Sequence, residues 1–261
     1  MPETDTAPVR GNTLPQFFTE NPRTAIAFSG GVDSAFLLYA AGRWGKETKA
    51  YYVRTPFQPQ FEYDDACRLA RELDIPMATI PLDTLSHAEI ACNLSDRCYR
   101  CKRAIFGAIL EKAGEDGFSL VLDGTNASDD PGDRPGMRAL RELMVRSPLR
   151  ECGITKGAVR RLSREAGLFT WDKPAYACLA TRIPTGTGIT RESLDRTEWG
   201  ENYLRSLGFS DFRIRLDGDT GKIQLPEDQM EKLFANREAI VKFLRQRYGA
   251  VTLDLEARKH G

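Results

Sequence analysis

The chain has 261 residues, with Lys plus Arg equal to Asp plus Glu at 37 each, so its formal net charge is zero; 41% of the residues are hydrophobic and 28% charged. This length points to one large domain with a smaller appendage, and the composition allows a packed core and excludes wholesale disorder. The charge balance argues against a protein whose main task is coating nucleic acid. No apolar run reaches the roughly 18 to 20 residues that cross a bilayer.

Met1 to Leu14 is polar and lacks the apolar core of a signal peptide, so the cytoplasm is the expected compartment. Thr24 to Phe28 reads as a short buried strand running into Ser29-Gly30-Gly31, and Ala35 to Ala41 as the helix that follows. The pattern recurs in a strand over Lys49 to Val53, a helix over Tyr63 to Leu73, a strand over Met77 to Leu82 and a helix over Tyr99 to Ala113. Leu120 to Leu122 is a further strand, and Thr155 caps a helix that Gly167 stops.

Alternation of this kind predicts an α/β fold with a doubly wound parallel sheet over 21–167, preceded by an N-terminal extension over 1–20. Leu168 to Gly188 carries too many Pro and Gly residues for a regular element and reads as a linker. A helix over Arg191 to Leu207 and strands near Phe212 to Leu216, Lys222 to Leu225 and Ala250 to Leu255 make 189–261 a small α+β domain.

Ser29-Gly30-Gly31-Val32-Asp33-Ser34 lies between strand and helix, where backbone N–H groups and the helix dipole converge on an anion. Gly30 and Gly31 permit close backbone approach, Ser29 and Ser34 add hydroxyl donors, and Asp33 is placed to orient the loop or to help hold magnesium. Neither G-x-x-x-x-G-K-[ST] nor G-x-G-x-x-G occurs here, which disfavours P-loop NTPases and dinucleotide oxidoreductases. The motif looks like the SGGxDS loop of ATP pyrophosphatases, which implies cleavage of ATP between the α and β phosphates. Asp123-Gly124-Thr125-Asn126, with Asp129 and Asp130, falls where doubly wound sheets bind ligands, so Thr125 and Asn126 are nucleotide candidates; a solvated acidic loop explains Asp129 and Asp130 equally well.

The cysteines are Cys67, Cys92, Cys98, Cys101, Cys152 and Cys178. In a reducing compartment such a set points to metal or catalysis before disulfides. Cys67 reads as a small core residue on a helix, and Cys152 has no assigned role. Cys98-x2-Cys101 lets two thiolates reach one metal or cluster, and Cys178 in the linker is the best third ligand. Four readings stand, in this order: a four-iron cluster with one iron open to exogenous sulfide, a closed zinc site that also uses Cys92, a redox dithiol, and ordinary buried thiols.

The ordered set of Ser29 to Ser34, Arg97-Cys98-Tyr99-Arg100-Cys101-Lys102, Asp123 to Asn126, Arg134-Pro135-Gly136, Ser147-Pro148-Leu149 and Lys173-Pro174 through Pro184 resembles the LarE family of ATP-dependent sulfur transferases. The resemblance covers roughly residues 20 to 225. It implies a PP-loop (adenine nucleotide α-hydrolase-like) fold over 21–167, the linker over 168–188, and a substrate and oligomerisation domain over 189–261. It implies that ATP with Mg2+ adenylates a carboxylate of a pyridinium-3,5-dicarboxylate mononucleotide, and that sulfur then replaces oxygen as AMP leaves. Some members sacrifice a cysteine sulfur at the position of Cys178. Others carry a [4Fe-4S] cluster on three cysteines matching Cys98, Cys101 and Cys178, and the complete Cys-x2-Cys favours that form here, with sulfide or another sulfur donor as partner.

The resemblance further assigns Arg213 and Arg215 to the substrate phosphate and marks Thr181, Arg182 and Glu201 as substrate contacts. It implies a homo-oligomer, a hexamer in the family; the absence of a spanning apolar run points to no membrane, and the balanced charge argues against a nucleic-acid partner. The family's pattern continues after Arg-x-Arg with histidines, whereas this chain has Leu216-Asp217-Gly218-Asp219, which leaves the acceptor open. Two other readings remain: another adenylating PP-loop enzyme, such as a tRNA thiolase or an amide-forming synthetase, and a non-catalytic nucleotide or iron-sulfur sensor.

Overall fold

The computed structural model describes residues 13–129 and 135–258. In chain order they form α1 (Leu14–Glu20), β1 (Arg23–Ala27), α2 (Val32–Trp44), β2 (Glu47–Arg54), α3 (Gln60–Glu72), β3 (Met77–Pro81), α4 (Ala88–Ala91), α5 (Arg97–Glu115), β4 (Val121–Leu122), α6 (Pro135–Glu142), α7 (Pro148–Glu151), α8 (Lys156–Glu165), a 3-10 turn (Leu179–Arg182), α9 (Arg191–Ser206), β5 (Arg213–Asp217), β6 (Thr220–Gln224), a second 3-10 turn (Glu227–Gln229), α10 (Met230–Ala235), α11 (Arg237–Leu244) and β7 (Ala250–Leu253). The chain divides into two compact units. The first takes in Met1–Arg54, Phe61–Leu82 and Lys102–Lys173, and the second Thr55–Gln60, Asp83–Cys101 and Pro174–Gly261.

The first unit holds a four-stranded parallel sheet in the order β3-β2-β1-β4. Strand side chains alternate between faces, and both faces are buried. Ile26, Phe28, Ala50 and Tyr52 pack with Phe36, Leu37 and Leu38 of α2, Leu69 of α3 and Val159 of α8. Ala25, Tyr51 and Val53 pack with Phe106 and Ile109 of α5 and Leu140 of α6. Burial on both sides explains why β1 and β2 read as apolar runs. Each fully buried Leu or Phe contributes about 1.5–3 kcal/mol. This is the expected α/β layering of helices on a parallel sheet.

Helices α1, α6 and α7 of this unit escape the sequence pattern. Helix α1 has a capping box between Thr13 and Gln16 and buries Leu14, Phe17 and Phe18. Seven residues give too few turns for a period to show. Cys67, expected in the core, is only partly buried on α3 and lines a surface groove with Tyr63, Ile75 and Met77.

The second unit carries a three-stranded sheet in the order β5-β6-β7. Strands β5 and β6 form an antiparallel hairpin turning through Gly218, whose φ of +55° suits glycine, and β7 runs parallel to β6. Helix α9 starts from a capping box between Thr190 and Ser193. Gly200 lets α9 sit tightly on the sheet, since a Cβ there would meet Ile214 Cδ1 at 3.0 Å and the Tyr248 hydroxyl at 3.1 Å. The stretch 168–188 contains one 3-10 turn, yet it buries Leu168, Thr170, Leu179, Ala180, Arg182 and Ile183. Its breakers limit regular structure without preventing packing. Among the described residues, no helix is long and apolar enough to cross a membrane.

Candidate active site

In the first unit, β1 delivers the chain to Ser29 and α2 starts at Val32. Gly31 caps α2 without a side-chain bond, so the first-turn N–H groups, which have no helical acceptor, are left for an anion. Gly30 has φ +75°, and a Cβ there would meet Glu62 O at 3.0 Å, which makes glycine the fitting residue. The two serines knit the loop. Their hydroxyls share a hydrogen bond at 3.0 Å, Ser34 Oγ accepts from Ser29 N at 3.2 Å, and Ser34 Oγ donates to Gly31 O at 3.1 Å.

The carboxyl end of β4 closes on this loop. At Gly124 a Cβ would come within 2.7 Å of Ser34 N, so the close approach of two backbones requires glycine. Asn126 Nδ2 donates to Asp33 Oδ1 at 3.3 Å, and Lys156 Nζ to Asp33 Oδ2 at 2.6 Å. Lys173 Nζ donates to Gly30 O at 3.3 Å and pairs with Asp65 at 2.7 Å. Asp123 accepts from Thr125 Oγ1 and Ser147 Oγ, each at 2.5 Å; burial pushes its carboxyl up, against these two bonds and the charge of Lys102. Asp129 accepts from Asn126 N at 3.0 Å. Asp130, and Arg134 of the Arg-Pro-Gly motif, lie outside the described residues.

The three candidate cysteines belong to the second unit. Helix α5 starts at Arg97, two residues before the expected Tyr99, so Cys98 and Cys101 share its first turn at i and i+3, on one face. Cys98 is exposed and Cys101 partly buried, while Cys92 is exposed at the end of α4. Arg97 Nη2 lies 3.6 Å from Cys98 Sγ, and its Nη1 donates to Asn93 Oδ1 at 2.5 Å and to Ala180 O at 3.0 Å. Asn93 Nδ2 donates in turn to Ile183 O, Pro184 O and Thr187 O. This ties the Cys178 segment to the Cys98 segment. Sequence reasoning missed both residues: Arg97 was visible only as a neighbour of the Cys-x2-Cys, and Asn93 gave no signal. Burial pushes the Cys178 thiol up and the charge of Arg97 pulls it down, with Cys98 near enough to push it up further.

Cys178 caps the 3-10 turn that ends at Arg182. Arg182 and Glu201 form a bidentate ion pair at 2.8 and 3.1 Å, each side chain 1% exposed. Burial alone would push the Arg182 guanidinium down, but the bonds to Glu201 and its charge outweigh it and hold it up. Removing one partner of such a pair costs about 3–5 kcal/mol. The Arg213 and Arg215 guanidiniums have different surroundings, Arg213 being buried and Arg215 exposed. Arg213 donates to Phe212 O and Ala175 O, and Arg215 to Gln224 Oε1 and Thr181 O. Burial, then the charges of Arg182 and Arg258, pushes Arg213 down to about 10. An anion would relieve that crowding of positive charge.

Three thiols in one unit, two of them on one helical turn, suit a cluster by donor type. Among the described residues, however, no group of three or more His, Cys, Asp or Glu side chains stands gathered to hold a metal ion.

The class defined to this point is an α/β protein whose parallel sheet presents a glycine loop and a helix N-terminus at the carboxyl ends of its strands. No protein-family model matches the chain. It is 34% identical over 256 residues, covering 95% of this chain and 91% of the relative, to pyridinium-3,5-bisthiocarboxylic acid mononucleotide synthase of Lactiplantibacillus plantarum. It is 35% identical to an uncharacterized protein of Synechocystis over 95% of this chain and 94% of that one. A third relative, an uncharacterized protein of Methanocaldococcus jannaschii, is 29% identical over 88% of both chains. The chain belongs to the LarE family, that of the Lactiplantibacillus synthase.

Proposed function

We propose that this chain is an ATP-dependent sulfur transferase with a PP-loop fold, acting in the cytoplasm on a pyridinium-3,5-dicarboxylate mononucleotide. The observation that carries the reading is its near full-length similarity to a synthase named for the bisthiocarboxylic acid mononucleotide. The geometry of the Ser29 to Ser34 loop supports the nucleotide half, and the Cys98, Cys101 and Cys178 set supports the sulfur half.

The loop's N–H groups and the α2 N-terminus receive the phosphates of ATP, with Ser29, Gly30, Gly31 and Ser34 at the phosphates and Thr125 and Asn126 beside them. Asp33, held by Lys156 and Asn126, fixes the start of α2, and Mg2+ enters on the phosphates. A substrate carboxylate oxygen attacks the α-phosphorus and pyrophosphate leaves. Sulfide sulfur then attacks the acyl carbon, the acyl C–O bond breaks, and AMP departs with that oxygen. Arg213 and Arg215 hold the substrate phosphate, and Thr181 is a further substrate contact. A [4Fe-4S] cluster, when bound by Cys98, Cys101 and Cys178, supplies an iron site open to exogenous sulfide. The active form is a homo-oligomer, a hexamer by family.

The test is anaerobic incubation with ATP, Mg2+, sulfide and the pyridinium dicarboxylate nucleotide, followed by mass measurement of product and protein. A thiocarboxylate product with several turnovers per unchanged chain is expected. A protein lighter by one sulfur would replace the cluster with sacrifice of Cys178. Absence of substrate-dependent pyrophosphate release would sink the reading altogether.

A further inference from the structure

We propose that the buried Arg182–Glu201 pair positions Cys178 by fixing the backbone of residues 175–182, which carries the thiol, and that it does not contact substrate. The proposal rests on the reading of Cys178 as the sulfur-handling cysteine.

Every polar atom of the pair is spent on the protein. Arg182 Nε and Nη2 bind Glu201, while Nη1 donates to Ala177 O at 2.7 Å, Cys178 O at 3.3 Å and Thr181 Oγ1 at 2.9 Å. The Glu201 carboxylate accepts from both arginine nitrogens, from the Tyr176 hydroxyl at 2.6 Å and from Ile214 N at 3.0 Å. A carboxylate has about four lone-pair sites, and these four donors fill them. With both side chains 1% exposed, a ligand would have to dismantle the pair to reach it. Substrate recognition asks for the reverse, namely donors left facing an open space.

What the bonds do grip is the segment that carries the thiol. Ala177 and Cys178 are held by their carbonyls, Tyr176 by its hydroxyl, and Ala175 by Arg213 at 2.8 Å. The Tyr176 ring lies under the guanidiniums of Arg182 at 4.5 Å and Arg213 at 5.2 Å. On the far side of the cysteine, Leu179 N donates to Phe57 O at 2.8 Å and Ala180 O accepts from Arg97. Cys178 therefore sits between two anchored stretches, and Glu201 joins one of them to α9 and β5. A loop with two prolines and no regular element longer than one turn needs such external ties to hold one geometry.

The test uses the full chain purified anaerobically, as wild type and as Glu201→Gln, Arg182→Lys and Tyr176→Phe. Peptide-resolved mass spectrometry follows alkylation of Cys178 by a neutral maleimide, with Cys67 and Cys152 as internal references, beside kcat and KM for the nucleotide substrate. Glu201→Gln is expected to speed Cys178 alkylation about 10-fold or more and to lower kcat about as much, with KM within about 2-fold and the reference cysteines unmoved. Tyr176→Phe, which deletes one hydroxyl donor and keeps the ion pair, should move both in the same direction by less, and it carries the test if the charge variant does not fold. Acceleration of all cysteines together would show a merely structural pair and overturn the proposal, as would a raised KM at unchanged kcat, which marks a substrate contact. Cys178→Ala separates the two readings: if it keeps full sulfur transfer, the sulfur assignment of Cys178 falls, and the alkylation pattern alone then decides the positioning.

Discussion

Gly30 combines a φ of +75° with a carbonyl, Glu62 O, where its Cβ would be. Gly30→Ala is expected to destabilise the fold by about 1–3 kcal/mol, seen as a lower Tm, and to reduce substrate-dependent pyrophosphate release about 10-fold or more as the loop N–H groups turn away from the phosphates. Arg213 differs, since its backbone is ordinary strand and its charge is what is unusual. Arg213→Lys keeps a cation but loses the planar fork, so KM for the nucleotide substrate should rise about 10-fold with little change in kcat; an unchanged KM would remove Arg213 from the phosphate site. Ser29 to Ser34 could be read from sequence because strand, glycines and helix are contiguous. The Arg182–Glu201 pair could not, because a charged residue on a loop and another on a helix read as surface groups or ligand contacts until their burial is known.

At the level of elements, the end of α5 is tied to β2 by the residue that follows it, Asp116, which accepts from Lys49 Nζ at 2.7 Å and the Tyr51 hydroxyl at 2.8 Å. Lys49 first, then Tyr51, holds the Asp116 carboxyl down at about 2. Its folded pKa lies below the unfolded value of about 3.9, so its stabilising contribution is complete above that value and is lost as pH falls toward about 2. Asp116→Asn should therefore lower Tm at pH 7, and the gap from wild type should close between about pH 4 and pH 2 in a series of thermal melts. Helix α8 gives a parallel case, because Thr155 Oγ1 caps it through Ala158 N at 3.3 Å and its first residue, Lys156, holds Asp33. Thr155→Ala should cost about 1 kcal/mol. Longer elements were legible to within a few residues through their apolar period. The short ones, α1, α4, α6 and α7, were not, since eight residues or fewer hold too little repeat to stand out.

For the whole molecule, the parallel sheet follows from alternating strand and helix patterns, but the division into units does not, because each unit collects segments distant in sequence. The Ser29 to Ser34 loop lies in the first unit, and Cys98, Cys101 and Cys178 in the second. Sequence spacing brought Cys98 and Cys101 together through one helical turn. It could nominate Cys178 only by elimination, since the link between its segment and that of Cys98 is a tertiary one through Arg97, which reaches both Cys98 Sγ and Ala180 O. Iron and acid-labile sulfide assayed on anaerobically purified protein should show about four of each per chain in the cluster form, and Cys178→Ser should lose most of both; absence of iron from the wild type would exclude the cluster.

Asn93 is almost wholly buried and has a φ of +56°, and its side-chain amide holds the carbonyls of Ile183, Pro184 and Thr187 in the stretch 183–188, whose residues from Pro184 to Gly188 face solvent. Such a turn is open to a protease by position but closed to it by shape, because cleavage needs a run of chain that can be drawn out straight, and here the carbonyls are pinned from beneath. Limited proteolysis is therefore expected to spare that surface in the wild type and to cut it faster in Asn93→Ala, a substitution some ninety positions away.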